Sequence, residues 1–270
     1  MIPSSENRIR VDRQALSHNF RLIQKTLAKN TSMMAMVKSD AYGHGMLTAA
    51  QAFAEAGCSL FGVAELGEAV ELRESGCKGD ILVFLGFDHR YIDYIVSHDL
   101  TPVVFSREDL AALSKAAVRG GRDVTFFLKF DCGMSRLGFK PEETGSLLAQ
   151  VAQLENLVLR GMITHFPSAD DKASESSVDV YKRFSTVKEI AGDKRVLAYS
   201  ACNSGGTLYF TQAHGNMVRC GIALYGYYPD GSAGRPDDVT QGLRPAMSFK
   251  TRVLQVNEIT SGTGVSYGQT

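Results

Sequence analysis

Short runs of apolar and β-branched residues recur along the chain, at 33–38, 60–64, 81–85, 101–105, 125–130, 158–165, 196–201 and 217–225. Between them the apolar residues fall three and four apart, for example Leu66, Ala69, Val70 and Leu72 within 65–75, and Leu110, Ala111, Leu113 and Ala117 within 107–119. The first pattern predicts strands covered on both faces, and the second predicts amphipathic helices packed against them. Alternation of the two across residues 1–230 predicts an α/β fold, a (β/α)8 TIM barrel. A doubly wound open sheet has the same periodicity, so the pattern alone leaves both topologies open.

The texture changes at about Asp230, where a Gly-, Asp- and Pro-rich stretch (230–238) precedes an alternating run of strand type at 246–259. Two strands cannot bury a hydrophobic face of their own. Residues 231–270 are therefore expected to be a linker and the first strands of an incomplete, truncated C-terminal β domain.

Composition narrows the partners. The chain has 270 residues and 44% hydrophobic content, enough to bury a large core, and its 29 Lys plus Arg balance its 29 Asp plus Glu. With no net field to hold a phosphate backbone or an anionic lipid surface, neither nucleic acid nor membrane is expected as a partner. No secretory leader and no apolar run of about 18 residues is present, which predicts a cytoplasmic protein. Cys58, Cys77, Cys132, Cys202 and Cys220 are odd in number and scattered, which favours free thiols over disulfides or a metal site.

In a β/α barrel the chemistry sits at the C-terminal ends of the strands. The polar residues there form a set: Lys38, Lys129, Asp131, His165, Ser204 and Arg219. Lys38 follows the apolar run Met33 to Val37, so its amine projects into the barrel mouth as a nucleophile for a carbonyl. Asn203-Ser204-Gly205-Gly206 precedes a helical stretch and puts a hydroxyl and approachable backbone amides at a helix start, which suits either a phosphate or a plain N-cap.

The string Val37-Lys38-Ser39-Asp40-Ala41-Tyr42-Gly43-His44-Gly45 resembles the cofactor-lysine motif of alanine racemases, fold-type III pyridoxal-phosphate enzymes. Further segments resemble the same family in the same order. They are Leu128 through Phe139, Thr164-His165-Phe166, Asn203 through Gly206, Val218 through Gly226, and Val265-Ser266-Tyr267-Gly268.

That resemblance implies a barrel that binds pyridoxal 5'-phosphate through Lys38 and interconverts L- and D-alanine for cell-wall peptidoglycan. It places Tyr42, Ser204 and the backbone of Gly221 and Ile222 at the cofactor phosphate, Arg219 at the ring nitrogen, and His165 beside both Arg219 and the ring. An arginine stays protonated, so Arg219 donates a hydrogen bond to that nitrogen without giving up a proton, which disfavours transamination and decarboxylation. Arg136 is implied at the cofactor phenolic oxygen and the substrate carboxylate, and Lys129 as a carbamylated lysine that orients Arg136. Lys38 and Tyr267 are implied as the two catalytic groups on opposite faces of the substrate, with Tyr267 supplied by the second subunit of a head-to-tail homodimer. Family members also draw phosphate and substrate contacts from a longer C-terminal segment, so this chain is expected to be weak or inactive alone. A racemase for serine or lysine, and a non-catalytic cofactor-binding barrel, are the alternatives.

Overall fold

The computed structural model describes residues 6–171, 174–192, 198–232 and 242–269. Parts of the 196–201 run, of the 230–238 stretch and of the N-terminus lie outside these residues. In chain order the elements are β1 (Arg8–Val11), α1 (Arg13–Gln24), β2 (Ser32–Met36), α2 (Lys38–Gly43), α3 (Met46–Glu55), β3 (Leu60–Val63), α4 (Leu66–Glu74), β4 (Asp80–Val83), α5 (Asp93–Ser97) and β5 (Thr101–Val104). They continue with α6 (Arg107–Gly120), β6 (Val124–Lys129), α7 (Thr144–Val151), β7 (Leu157–Ile163), α8 (Ser176–Ala191), β8 (Ala198–Ser200), α9 (Ser204–Tyr209), β9 (Met217–Cys220) and β10 (Met247–Lys250).

Strands β2 to β9 form one parallel sheet in which each strand lies beside its successor and β9 returns to β2. This is the (β/α)8 barrel, and the open-sheet alternative falls. The seam between β8 and β9 is bridged by the Arg219 N–H on the Cys202 carbonyl (3.0 Å) and by the Tyr199 N–H on the Asn216 side chain (2.7 Å).

The alternation of each strand divides its side chains between two cores. From β2, Met33 and Ala35 pack outward under the helices, while Met34 and Met36 point inward with Leu82, Val103, Phe127, Ile163 and Met217. The interior is filled by large side chains set against glycines: a Cβ on Gly62 would lie 2.5 Å from the Met36 sulfur, and one on Gly161 2.4 Å from the Phe127 ring. The barrel is thus a packed core with its opening at the strand C-termini.

Two stretches differ from the sequence reading. The run 217–225 is a strand only to Cys220; Ile222–Tyr225 is a 3-10 turn, because the Gly221 N–H turns to the Ser204 hydroxyl and the buried Tyr225 hydroxyl donates to the Met36 carbonyl. Of 246–259, only Met247–Lys250 is a strand, and it pairs antiparallel with β1 from the other end of the chain. Residues 251–259 are exposed and carry no regular structure. The buried Asn19 of α1 ties this region to the barrel, donating to the Leu224 and Arg244 carbonyls and accepting the Arg244 N–H.

Candidate active site

A cavity of about 630 Å³ opens at the C-terminal ends of the strands. Lys38, Tyr42, Lys129, Arg136, His165, Ser204, Arg219, Gly221 and Ile222 all line it. Two other residues singled out in the sequence stand elsewhere. Asp131 turns its carboxylate onto its own loop, accepting the N–H groups of Gly133, Ser135 and Arg136. Tyr267 is fully exposed in a 3-10 turn, outside the cavity of its own barrel.

Lys38 is positioned by an unusual piece of backbone. The four residues after it, Ser39 to Tyr42, all have φ between 50° and 55°, so α2 is a single left-handed turn. L-residues resist this conformation because Cβ crowds the following carbonyl, and none of the four is glycine. The turn brings Lys38 and Tyr42 to the same side, with the lysine Nζ 5.7 Å from the tyrosine ring centre. At its far end the His44 Nδ1 is 3.1 Å from both the Ala41 and Tyr42 carbonyls, so this nitrogen carries the proton. The rings of Tyr42 and His44 both pack against Tyr225, tilted to it by 41° and 42°.

The middle of the cavity is a cluster of cations. Arg219 is buried, and its guanidinium donates to the Ser200 carbonyl (2.8 Å), the Ser200 hydroxyl (2.5 Å) and the Thr164 carbonyl (2.7 Å), with the Phe84 ring beneath it. Burial pulls its pKa down to about 10, so it remains a cation at neutral pH. Arg219 also donates to His165 Nδ1 (3.2 Å), which puts the imidazole proton on Nε2. Burial and then the positive charges of Arg219, Lys129, Arg136 and Lys38 depress the His165 pKa to about 3, so it is neutral. The same two effects, burial and then Arg136 and Arg219, bring Lys129 down to about 8. Asp170 is the one carboxylate among the described lining residues, so the cavity as a whole calls for an anion.

The anion side lies between α9, β9 and the left-handed turn. Asn203 caps α9 by accepting the Gly206 N–H (3.0 Å), which frees the neighbouring Ser204 for another task. The Ser204 oxygen accepts the N–H groups of Gly221 (2.9 Å) and Ala223 (3.3 Å), leaving its own proton to donate. A Cβ on Gly221 would lie 2.2 Å from the Tyr42 hydroxyl, so only glycine lets that hydroxyl rest against the backbone here. Ser204 and Tyr42 thus converge on a donor-lined cradle of the kind a phosphate occupies. The Tyr42 pKa is raised to about 12 by burial and by Cys220, so the group is a donor and not an anion.

Sequence reasoning missed Phe84 and Leu85, which line the cavity after β4, and Ser200, which holds Arg219. All three stand at strand ends, but Phe84 and Leu85 are apolar and Ser200 acts through Arg219, so none announces a chemistry of its own. Glu68, whose carboxylate meets the turn after Lys38, carried no local cue beyond its place in the first turn of a helix.

A family profile described as "Alanine racemase, N-terminal domain" matches residues 11–229. The alanine racemase of Desulfovibrio desulfuricans is 36% identical over 261 residues, covering 96% of this chain and 69% of that protein. Alanine racemase 1 of Oceanobacillus iheyensis is 36% identical over 268 residues, covering 97% and 69%. Among solved structures, the alanine racemase from E. faecalis superposes with a TM-score of 0.88 at 31% identity, over 98% of this chain and 71% of that one.

Proposed function

The chain belongs to the alanine racemase family, and on that premise we propose that it interconverts L- and D-alanine with pyridoxal 5'-phosphate attached to Lys38. The observation that carries this reading is that one cavity brings together a half-buried lysine, the Ser204 and Tyr42 cradle and a fixed, buried arginine. The cradle takes an anionic group on Ser204, Tyr42 and the backbone of Gly221 and Ile222, and the cation cluster tolerates the added negative charge. When bound, pyridoxal phosphate supplies a conjugated ring that withdraws electrons from the substrate Cα and makes its proton removable.

The residues divide the remaining work. The Lys38 amine takes or returns the proton on one face of the substrate Cα. The Tyr267 hydroxyl of a second copy serves the other face, a role suited to a tyrosine exposed outside its own cavity. Two proton-handling groups on opposite faces are what inversion at carbon requires. With its terminal N–H groups held by Ser200, Thr164 and His165, Arg219 offers its Nε–H to the ring nitrogen and no transferable proton, which confines the reaction to moving the Cα proton. Neutral His165 holds Arg219 without adding charge. The Lys129 amine, partly unprotonated near neutral pH, adds to carbon dioxide and releases a proton to solvent; the carbamate anion so formed pairs with Arg136 and turns it toward a substrate carboxylate. The D-alanine formed serves peptidoglycan synthesis, and the five free thiols suit a reducing cytoplasm.

Borohydride reduction of the protein with pyridoxal 5'-phosphate, followed by peptide mapping, is expected to leave the pyridoxyl group on Lys38, and incubation with L-alanine to yield D-alanine. An adduct on another lysine, or none, would sink the proposal.

A further inference from the structure

We propose that Glu68 is a positioning residue for Lys38: its carboxylate pins the peptide that joins Lys38 to Ser39 and so fixes where the lysine amine stands in the cavity. The inference rests on the reading of Lys38 as the cofactor lysine and extends it to a residue on another element.

The left-handed turn after Lys38 is disfavoured by its own sequence, so outside contacts must hold it. Several of its hydrogen bonds are internal: the Ala41 N–H to the Val37 carbonyl, the Gly45 N–H to the Asp40 carbonyl, and the Met46 N–H to the Asp40 carboxylate. These close the turn on itself without anchoring it to the barrel. Before the lysine the Val37 N–H is held by the Gly62 carbonyl of β3 (2.8 Å), and after it the anchor is Glu68, whose Oε1 accepts the Ser39 N–H at 2.5 Å. That N–H belongs to the peptide plane leaving Lys38, so the bond restricts the lysine's ψ and with it the direction of its side chain.

Glu68 is itself fixed. Its Oε2 accepts the N–H groups of Ala64 (2.7 Å) and Glu65 (3.1 Å), at the end of β3 and the start of α4. A carboxylate in the first turn of a helix is favoured by the helix dipole, and capping α4 needs only one of its oxygens. The other oxygen spans 29 residues of sequence to the turn beside Lys38. A cap alone would leave that second oxygen in water.

The test separates anchoring from capping by using glycine, which accepts the left-handed conformation without penalty. Wild-type protein and the E68A, S39G and E68A/S39G variants are titrated with pyridoxal 5'-phosphate, following the absorbance of the Lys38 adduct, with thermal unfolding in parallel. Loss of one charge-assisted hydrogen bond and release of the turn are expected to weaken cofactor affinity in E68A by about tenfold. S39G alone should stay within about twofold of wild type, and the double variant should regain most of the lost affinity while keeping the lower Tm of a helix without its cap. E68Q, of equal volume but with a single accepting oxygen for three N–H groups, serves should E68A not fold, and it should show a smaller loss with the same rescue. If the Glu68 variants lower Tm while affinity stays within about twofold, or S39G restores nothing, Glu68 is a cap only and the proposal is overturned. A wild-type chain that forms no adduct at Lys38 overturns the underlying reading, a result distinct from a normal adduct that is indifferent to Glu68.

Discussion

Arg219 is the residue around which the site is organised, because it is a buried cation whose described hydrogen bonds go to neutral partners. Its fork is shared between the ends of β7 and β8, so replacing it strips donors from several buried oxygens at once. Arg219→Met, which keeps an unbranched apolar stem and loses the donors, is expected to cost about 3 kcal/mol in denaturant unfolding, since each buried acceptor left unpaired is expensive. An equal stability in wild type and variant would mean that those oxygens find other partners. His165 gives a second expectation at this scale. Its pKa is about 3 in the fold and 6.5 in an unfolded chain, so between these values the unfolded state binds the extra proton. The stability it contributes is present above pH 6.5 and is lost as pH falls toward 3. His165→Gln keeps an oxygen for Arg219 and removes the titration; from about pH 7 to about pH 4 the variant should lose less stability than wild type. Parallel pH profiles for the two proteins would refute the assignment of a neutral, buried imidazole.

The elements of the barrel were legible because each strand is a single apolar run and each helix repeats at three and four, as at 60–64 and 65–75, where β3 and α4 stand. What escaped the pattern is structure held by distant contacts. Ser39 to Tyr42 contains no glycine to announce a left-handed turn; it exists because Glu68, His44 and Tyr225 surround it. The apolar run 221–225 reads as more strand, yet its chain turns at Gly221 to meet Ser204. Strand β1 is four residues of mixed polarity, and only its partner β10 makes it a strand. Site residues were easier, since Lys38, Arg219 and His165 announce their chemistry, whereas Glu68 acts through another residue's backbone. The Gly221 contact makes this scale testable. Gly221→Ala would place a methyl against the Tyr42 hydroxyl and force the left-handed turn away from the cradle. Overpacking of this kind costs about 1–3 kcal/mol, so cofactor affinity measured by absorbance titration should fall by about tenfold. Unchanged affinity would show that Tyr42 and Gly221 are not part of the phosphate site.

At the scale of the whole molecule, the cavity and Tyr267, the proposed second proton-handling residue, stand apart. Lys38 lies inside the barrel mouth, and Tyr267 is fully exposed outside it. If the tyrosine acts on a neighbouring barrel, the two groups of one site come from two chains, and defects in them must complement. Lys38→Ala and Tyr267→Phe each remove one of the two groups and should each abolish alanine racemisation. Mixed in equal amounts and allowed to exchange, half of the dimers pair one chain of each kind, and each such dimer holds one intact site and one doubly defective site. Activity should therefore return to about a quarter of the wild-type level, the share expected for random pairing in a two-fold dimer. A tyrosine serving its own barrel predicts no recovery at all, because every site would then carry one defect whichever chains had paired.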